Sequence, residues 1–311
     1  MTFTTRPTLQ GTFGMVSSTH WIASSAAMGI LERGGNAFDA AVCAGFVLHV
    51  VEPHLNGPGG DLPAIVSDAS GAGAQVLCGQ GPAPAAATAA HFVEAGMSVV
   101  PGSGPLAAAV PGAFDAWMLL LADRGTMSVA QVLAPAEHYA RHGYPVLPTV
   151  SRTVSAVARL FTEHWPTSAS VWLEGGRAPS AGTIHRNPAY ADTLARLIEQ
   201  GSKTGDGREA QIEATRRAWS QGFVAEAIDT FARVPHRHSS GQVLPGVITG
   251  ADCAAYSAQW ESPVLLPWRG HQIAKTGPWG QGPAMLQVLA MLDDGGAIAD
   301  VDTVEGVHAV V

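Results

Sequence analysis

The chain is poor in basic residues, in cysteine and in long unbroken apolar runs, and each shortage removes a class of function. Lys and Arg total 17 against 25 Asp and Glu, for a formal net charge of −8, and no Lys or Arg occurs between Gly34 and Asp123. Nucleic acids are held by gathered surface cations, so DNA and RNA are excluded as partners. The three cysteines, Cys43, Cys78 and Cys253, are far apart, odd in number and without C-x-x-C spacing. They read as buried reduced thiols rather than as a disulfide framework. The start, M-T-F-T-T-R-P-T-L-Q-G-T-F-G, has no charged segment followed by an apolar one, so no secretory signal is visible and a cytoplasmic location is expected. The most apolar helical stretch, Ala40 to Val51, is too short to span a bilayer. Internal repeats and low-complexity tails are also missing.

What is present is a large globular chain, with 311 residues of which 47% are hydrophobic. Its organising stretch is Gly34 to Asp61, G-G-N-A-F-D-A-A-V-C-A-G-F-V-L-H-V-V-E-P-H-L-N-G-P-G-G-D. Gly34 and Gly35 suit a helix C-terminus, and Asn36 with Asp39 three residues on has the form of a capping box. A helix is therefore expected from Ala37. Between Ala40 and Val51 only His49 is strongly polar, so this helix has no wet face and should be wrapped by other elements. Pro53 ends it, Asn56 to Gly60 turns sharply, and Leu62 to Val66 reads as a strand.

Elsewhere, a first helix is expected from Trp21 to Arg33, capped by Ser17, Ser18 or Thr19. A hairpin is expected from Ile65-Val66 and Gln75 to Cys78, then a short helix from Ala85 to Ala95 and a strand-like Ala107 to Val110. Further helices fall at Ala113–Ala122, Thr126 to His142, Ser151–Glu163, Ala189–Gln200, Arg208–Ser220 and Val224–Phe231. The segment Val234 to Leu244 is the most loop-like. Thr249 to Asp252 caps a short helix, and Pro263–Trp268 with His271–Thr276 makes a hairpin around Arg269-Gly270. A glycine turn at 277–282 leads to a helix from Pro283 to Leu292, and Asp302-Thr303 opens a last helix through Val304, Val307 and Val311.

The order G-G-N-A-F-D-A-A, V-V-E-P-H and a glycine turn, then A-A-A-V-P-G-A-F-D-A-W, G-T-M-S-V-A-Q-V-L-A-P-A and A-R-H-G-Y-P-V, resembles the gamma-glutamyltranspeptidase family. The resemblance runs from about Gly14 to Val311. It implies an α+β fold, the N-terminal nucleophile hydrolase αββα sandwich, in which helices surround two stacked antiparallel sheets. On this view residues 1–311 form one domain with a helical lobe at about 151–240, and constitute an incomplete large subunit of a self-cleaving zymogen. The partner is the small subunit cut from the same precursor, and the substrate is a small-molecule amide. The family's nucleophile is an N-terminal threonine, activated by its own α-amine with a pKa of roughly 7.7 to 8.0. No segment here matches the processing site, so that threonine is expected beyond Val311 and this chain alone is expected to be inactive.

The family's large subunit supplies an arginine that pairs with the α-carboxylate of the glutamyl group. Alignment on Pro84-Ala85-Ala86-Ala87 puts Gln80 at that place. A glutamine offers one amide dipole where arginine gives a charged fork. Gln80 is therefore either a loop residue bonded to backbone or a contact for an acyl group other than gamma-glutamyl; the Gly57 to Gly60 turn is the fallback holder of a carboxylate. No cofactor is implied. A non-catalytic scaffold keeping the fold is the alternative to an enzyme. His138 and His142 stand at i, i+4 but no third metal ligand is in evidence, and a solvated helix face is expected. His236 and His238 are expected in an exposed loop, and His49 and His54 as hydrogen-bonded structural residues. Neither G-P-G-G-D nor G-P-W-G-Q-G has the form of a nucleotide-binding loop.

Overall fold

The computed structural model describes residues 8–67, 69–71, 73–205, 207–294 and 303–310. The chain opens with two helices, α1 (Trp21–Glu32) and α2 (Ala37–Val51), followed by an antiparallel hairpin of β1 (Leu62–Val66) and β2 (Gln75–Gly79). The capping box at α2 forms in full: Asn36 Oδ1 accepts from the N–H groups of Phe38 and Asp39, and Asp39 Oδ2 accepts from Asn36 N–H at 2.9 Å. Asp39 then ties this helix start to the next layer, because its carboxylate also accepts from Thr126 and Met127 N–H and from the Thr126 hydroxyl. Burial pushes its pKa up, but these donors outweigh burial and hold it below the usual carboxylate value. As expected, α2 has no exposed residue after Ala37.

The cap of α1 differs from expectation. His20 caps it, its Nδ1 accepting from Ile22 N–H at 3.1 Å. A ring nitrogen does here what a serine hydroxyl does elsewhere, and burial, opposed by nearby Glu52, lowers its pKa and favours the neutral acceptor form.

Then come α3 (Ala89–Glu94), α4 (Ala113–Arg124) and α5 (Val129–His142). Thr88 caps α3, which starts later than the Ala85 expected because the Ala85 N–H is turned to the Asp252 carboxylate at 2.9 Å. Ala107 to Val110 is no strand. Its first residue closes a short 3-10 turn, and Val110 N–H reaches the Pro82 carbonyl. After a two-residue strand β3 (Tyr144–Pro145) the helical part follows: α6 (Pro148–His164), α7 (Pro166–Trp172), β4 (Ile184–His185), α8 (Pro188–Ser202), α9 (Arg208–Ser220) and α10 (Phe223–Ala232). Sequence reading had no counterpart for α7, which begins at Pro166 directly after α6 ends. The expected loop at Val234 to Leu244 carries a small hairpin instead, β5 (His236–Arg237) with β6 (Val243–Leu244). The remainder is α11 (Gly250–Ala255), β7 (Gln259–Glu261), the hairpin β8 (Val264–Trp268) and β9 (His271–Lys275), α12 (Gly282–Asp294) and α13 (Val304–Val310). The expected ends of the last helix, Asp302 and Val311, lie outside the described residues.

The main sheet has the order β1-β2-β7, with β7 returning from far along the chain to pair antiparallel with β2. One face lies on a core built from α1, α2, α4, α5, α8 and α9, where Phe46, Phe114, Leu133, Leu194 and Trp219 meet. The rings of Phe114 and Trp219 stack at 4.2 Å, and Phe46 meets Phe114 edge to face at 5.6 Å. Arg216 on α9 clamps the buried Asp115 of α4 with two hydrogen bonds of 2.7 and 2.9 Å, so the helical segment after residue 151 shares this core. No helix among the described residues is long and apolar enough to cross a membrane.

Candidate functional site

The opposite face of the sheet frames a cavity of ≈ 580 Å³. Alternation along the strands puts Pro63 and Ile65 of β1 there, together with Cys78 of β2 and Glu261 of β7. Gln80 follows β2 directly and lines the cavity with Asp61, Lys275, Trp279 and Gln281.

The direction of Gln80 is set by its neighbours. A Cβ at Gly81 would overlap the Val110 carbonyl oxygen, and one at Gly112 would overlap the Gly79 carbonyl oxygen. Two main-chain segments thus touch without side chains between them, a closeness only glycine permits. Val110 N–H to Pro82 O at 2.9 Å locks the pair. Gln80 is half-buried, and its side-chain amide makes no hydrogen bond among the described residues.

The facing wall is the turn before α12. Trp279 donates its indole N–H to Glu261 Oε2 at 2.8 Å, while Gln259 reaches Glu261 Oε1 at 3.3 Å. Cys78 lies beneath the same carboxylate. Burial pushes its thiol pKa up, Gln80 N–H pulls it down, and Glu261 raises it further, leaving the net shift upward and the sulfur protonated. Lys275 ends β9 on this wall, half-buried and without an ion pair among the described residues. Sequence reading missed it because it looked for a cation only near Gln80 in the chain, and no local pattern signals the fold that brings β9 there.

The glycine turn is less open than expected. Gly60 N–H bonds to the Gly57 carbonyl at 3.0 Å, and the Gly60 carbonyl accepts from Gly112 and Ala113 N–H at the start of α4. The turn thus anchors α4, and the Gly60 N–H is already used.

The histidines fall out variously. His138 and His142 are exposed with rings 4.6 Å apart, on the solvated face expected. No group of three or more potential metal-ligating side chains occurs among the described residues. His238, expected in an exposed loop, is buried, its Nε2 against the Leu244 carbonyl at 2.9 Å in the small hairpin. His236 is half-buried, with Nδ1 at 2.7 Å from the Val234 carbonyl and its ring on Phe231. His49 and His54 were expected to be hydrogen-bonded, yet the Nδ1 of each is buried without a partner among the described residues. His49 packs edge to face on Phe46, and burial lowers its pKa to about 3, so it stays neutral as a core ring. A second cavity of ≈ 620 Å³ lies between α10, Trp165 and the turn at Gly104–Ala108. Its walls are mostly apolar, with Thr167 and Ser168 among them, and the one titratable side chain among the described residues lining it, His236, is already engaged.

The sequence profile of the gamma-glutamyltranspeptidase family matches residues 23–311. The chain belongs to the gamma-glutamyltranspeptidase family. Among curated family relatives, it is 32% identical to the glutathione hydrolase-like YwrD proenzyme of Bacillus subtilis, over 91% of this chain and 49% of that protein. It is 31% identical to the oxamate amidohydrolase proenzyme of Klebsiella pneumoniae, over 96% of this chain and 53% of that protein. The chain therefore spans about half the length of these relatives. Among solved structures, LmbA2991HD superimposes with a TM-score of 0.95 at 54% identity, covering 99% of this chain and 53% of that one. The Helicobacter pylori gamma-glutamyltranspeptidase superimposes with a TM-score of 0.83 at 26% identity, covering 98% and 82%. The fold is accordingly α+β of the N-terminal nucleophile hydrolase type, of which this chain carries the helical layer and the β1-β2-β7 sheet.

Proposed function

We propose that this chain forms the acyl-binding part of a gamma-glutamyltranspeptidase-like amide hydrolase or acyltransferase that acts on acyl groups other than gamma-glutamyl. The observation that carries the reading is Gln80, an amide with no hydrogen bond among the described residues, directed into a cavity where the family places an arginine. The relative named as an oxamate amidohydrolase supports amide hydrolysis beyond glutathione. The nucleophile would be a threonine outside residues 1–311, freed at the start of a small subunit by self-cleavage of the precursor. Its α-amine then serves as the base for an acyl-enzyme that water or an amine resolves. Two relatives bearing proenzyme names support this processing. The reading includes a cytoplasmic location, which three free, buried cysteines support.

The test is Gln80→Arg in the full-length processed protein. A guanidinium there restores a charge-assisted contact of about 1.5 to 3 kcal/mol, or roughly ten- to a hundredfold. Turnover of gamma-glutamyl-p-nitroanilide should rise by that factor relative to an anilide lacking the α-carboxylate. An unchanged ratio would remove Gln80 from the site.

A further inference from the structure

We infer that the ≈ 620 Å³ cavity between α10, Trp165 and the turn at Gly104–Ala108 is a second binding site, built for a small neutral aromatic molecule that carries one hydroxyl or N–H donor. It shares no lining residue with the Gln80 cavity, so the inference stands apart from the acyl reading. Its volume falls within the roughly 300 to 1,000 Å³ usual for small-molecule sites. Loosely held side chains would close such a void, but here the walls are pinned. Trp165 stands at the break between α6 and α7, and its indole N–H donates to the Arg237 carbonyl at 3.0 Å. The Phe231 ring is braced by the His236 ring, with centroids 4.5 Å apart. Gly246 ties the turn to α10: its N–H donates to the Ala232 carbonyl at 2.7 Å, and a Cβ on it would sit 2.8 Å from the Pro105 carbonyl oxygen. Ile248 and Ala232 are buried at the base, while Thr167, Ala227 and Phe231 are exposed at the rim.

The lining fixes the class. No Lys, Arg, Asp or Glu lines the cavity among the described residues, so a charged ligand would lose hydration with no counter-ion to replace it. Trp165 and Phe231 offer ring faces, and Val224, Ile228 and Ile248 complete a surface suited to an aromatic system. The polar groups are few. His236 Nδ1 lies 2.7 Å from the Val234 carbonyl, and a carbonyl only accepts, so this nitrogen carries the proton and the neutral ring keeps Nε2 as an acceptor. Nothing among the described residues occupies that acceptor. The hydroxyls of Thr167 and Ser168 are likewise unpaired among the described residues and can donate to a ligand oxygen or nitrogen. A ligand that presents a donor to the imidazole thus satisfies it without bringing a charge into the cavity.

Fluorescence titration of the full-length protein with three probes tests this: β-naphthol, its methyl ether, which has no donor, and β-naphthalenesulfonate, which is charged. β-Naphthol should bind at one site, the ether about tenfold more weakly and the sulfonate more weakly still. Ala227→Trp, at the exposed rim, should fill the cavity and weaken β-naphthol at least about tenfold. His236→Phe keeps a ring against Phe231 but removes the acceptor, so it should lower β-naphthol to the affinity of the ether and leave the ether unchanged. Thermal melts verify that each variant is folded. No binding of β-naphthol by the wild type, or binding that survives Ala227→Trp, overturns the site. Equal affinity of the wild type for β-naphthol and its ether, or tightest binding of the sulfonate, overturns the ligand class.

Discussion

Helices α2 and α12 are both largely apolar, yet α2 keeps no exposed residue after Ala37, whereas Met285, Val288 and Met291 of α12 are 48%, 48% and 74% exposed. The neighbours differ. Helix α2 is held between α1, α4 and α5, all within the first half of the chain, while α12 packs on the hairpin β8–β9. The same contrast divides the main sheet, where Leu77 is fully buried toward the helices and Ile65, on the other face, is 43% exposed. Apolar patterning thus announces that a surface suits burial, but the neighbours decide whether it is buried. The helical side is closed by its own chain. The side bearing Gln80 and Lys275 is the more open one among the described residues.

Three measurements sharpen or break this comparison. The largest effect is expected on the closed side: Phe46→Ala removes a fully buried ring in contact with Phe114 and His49 and should cost about 3 to 5 kcal/mol in denaturant unfolding. A loss under about 1 kcal/mol would mean that this core is loosely packed. An intermediate effect is expected at the hinge of the helical layer. Because Asp39 has its pKa depressed by folding, its contribution is complete above the unfolded value of about 3.9 and fades as pH falls through the folded value. Asp39→Asn should therefore destabilise the protein at pH 7, and the gap to wild type should close on acidification below about pH 4. A gap constant with pH would show that the carboxylate charge is irrelevant there. The smallest effect is expected on the open side, where Met291→Ser should change unfolding free energy by no more than about 0.5 kcal/mol. A loss above about 2 kcal/mol would show this face covered by chain outside the described residues.

Much of the helical layer was legible because its signals are local. The box Asn36–Asp39, the glycines before it and the run to Val51 define α2 within a few residues, and Ser128 with Gln131 does the same for α5. Hairpins around short turns were equally open to reading: in β8–β9 the positive φ angles of Arg269 and Gly270, 47° and 79°, close the tight turn expected there. What escaped was unusual chemistry or distant pairing. His20 caps a helix with a ring nitrogen, which no serine-based rule anticipates. The pairing of β2 with β7 joins residues too far apart for any periodicity to signal. The candidate site divides along the same line, since Gln80 was found by its place beside Pro84 to Ala87, whereas Lys275 enters only through the fold.

The contact of Gly81 with Val110 bears on how this pocket can diversify. What blocks a side chain at Gly81 is a main-chain carbonyl, which no rotamer change elsewhere can relocate. Mutational libraries should return glycine there almost invariably, while Gln80 and Lys275, whose side chains project into open volume, tolerate replacement. The frame is thereby fixed at positions separate from the side chains that line the cavity, so those side chains can change without rebuilding the scaffold that aims them.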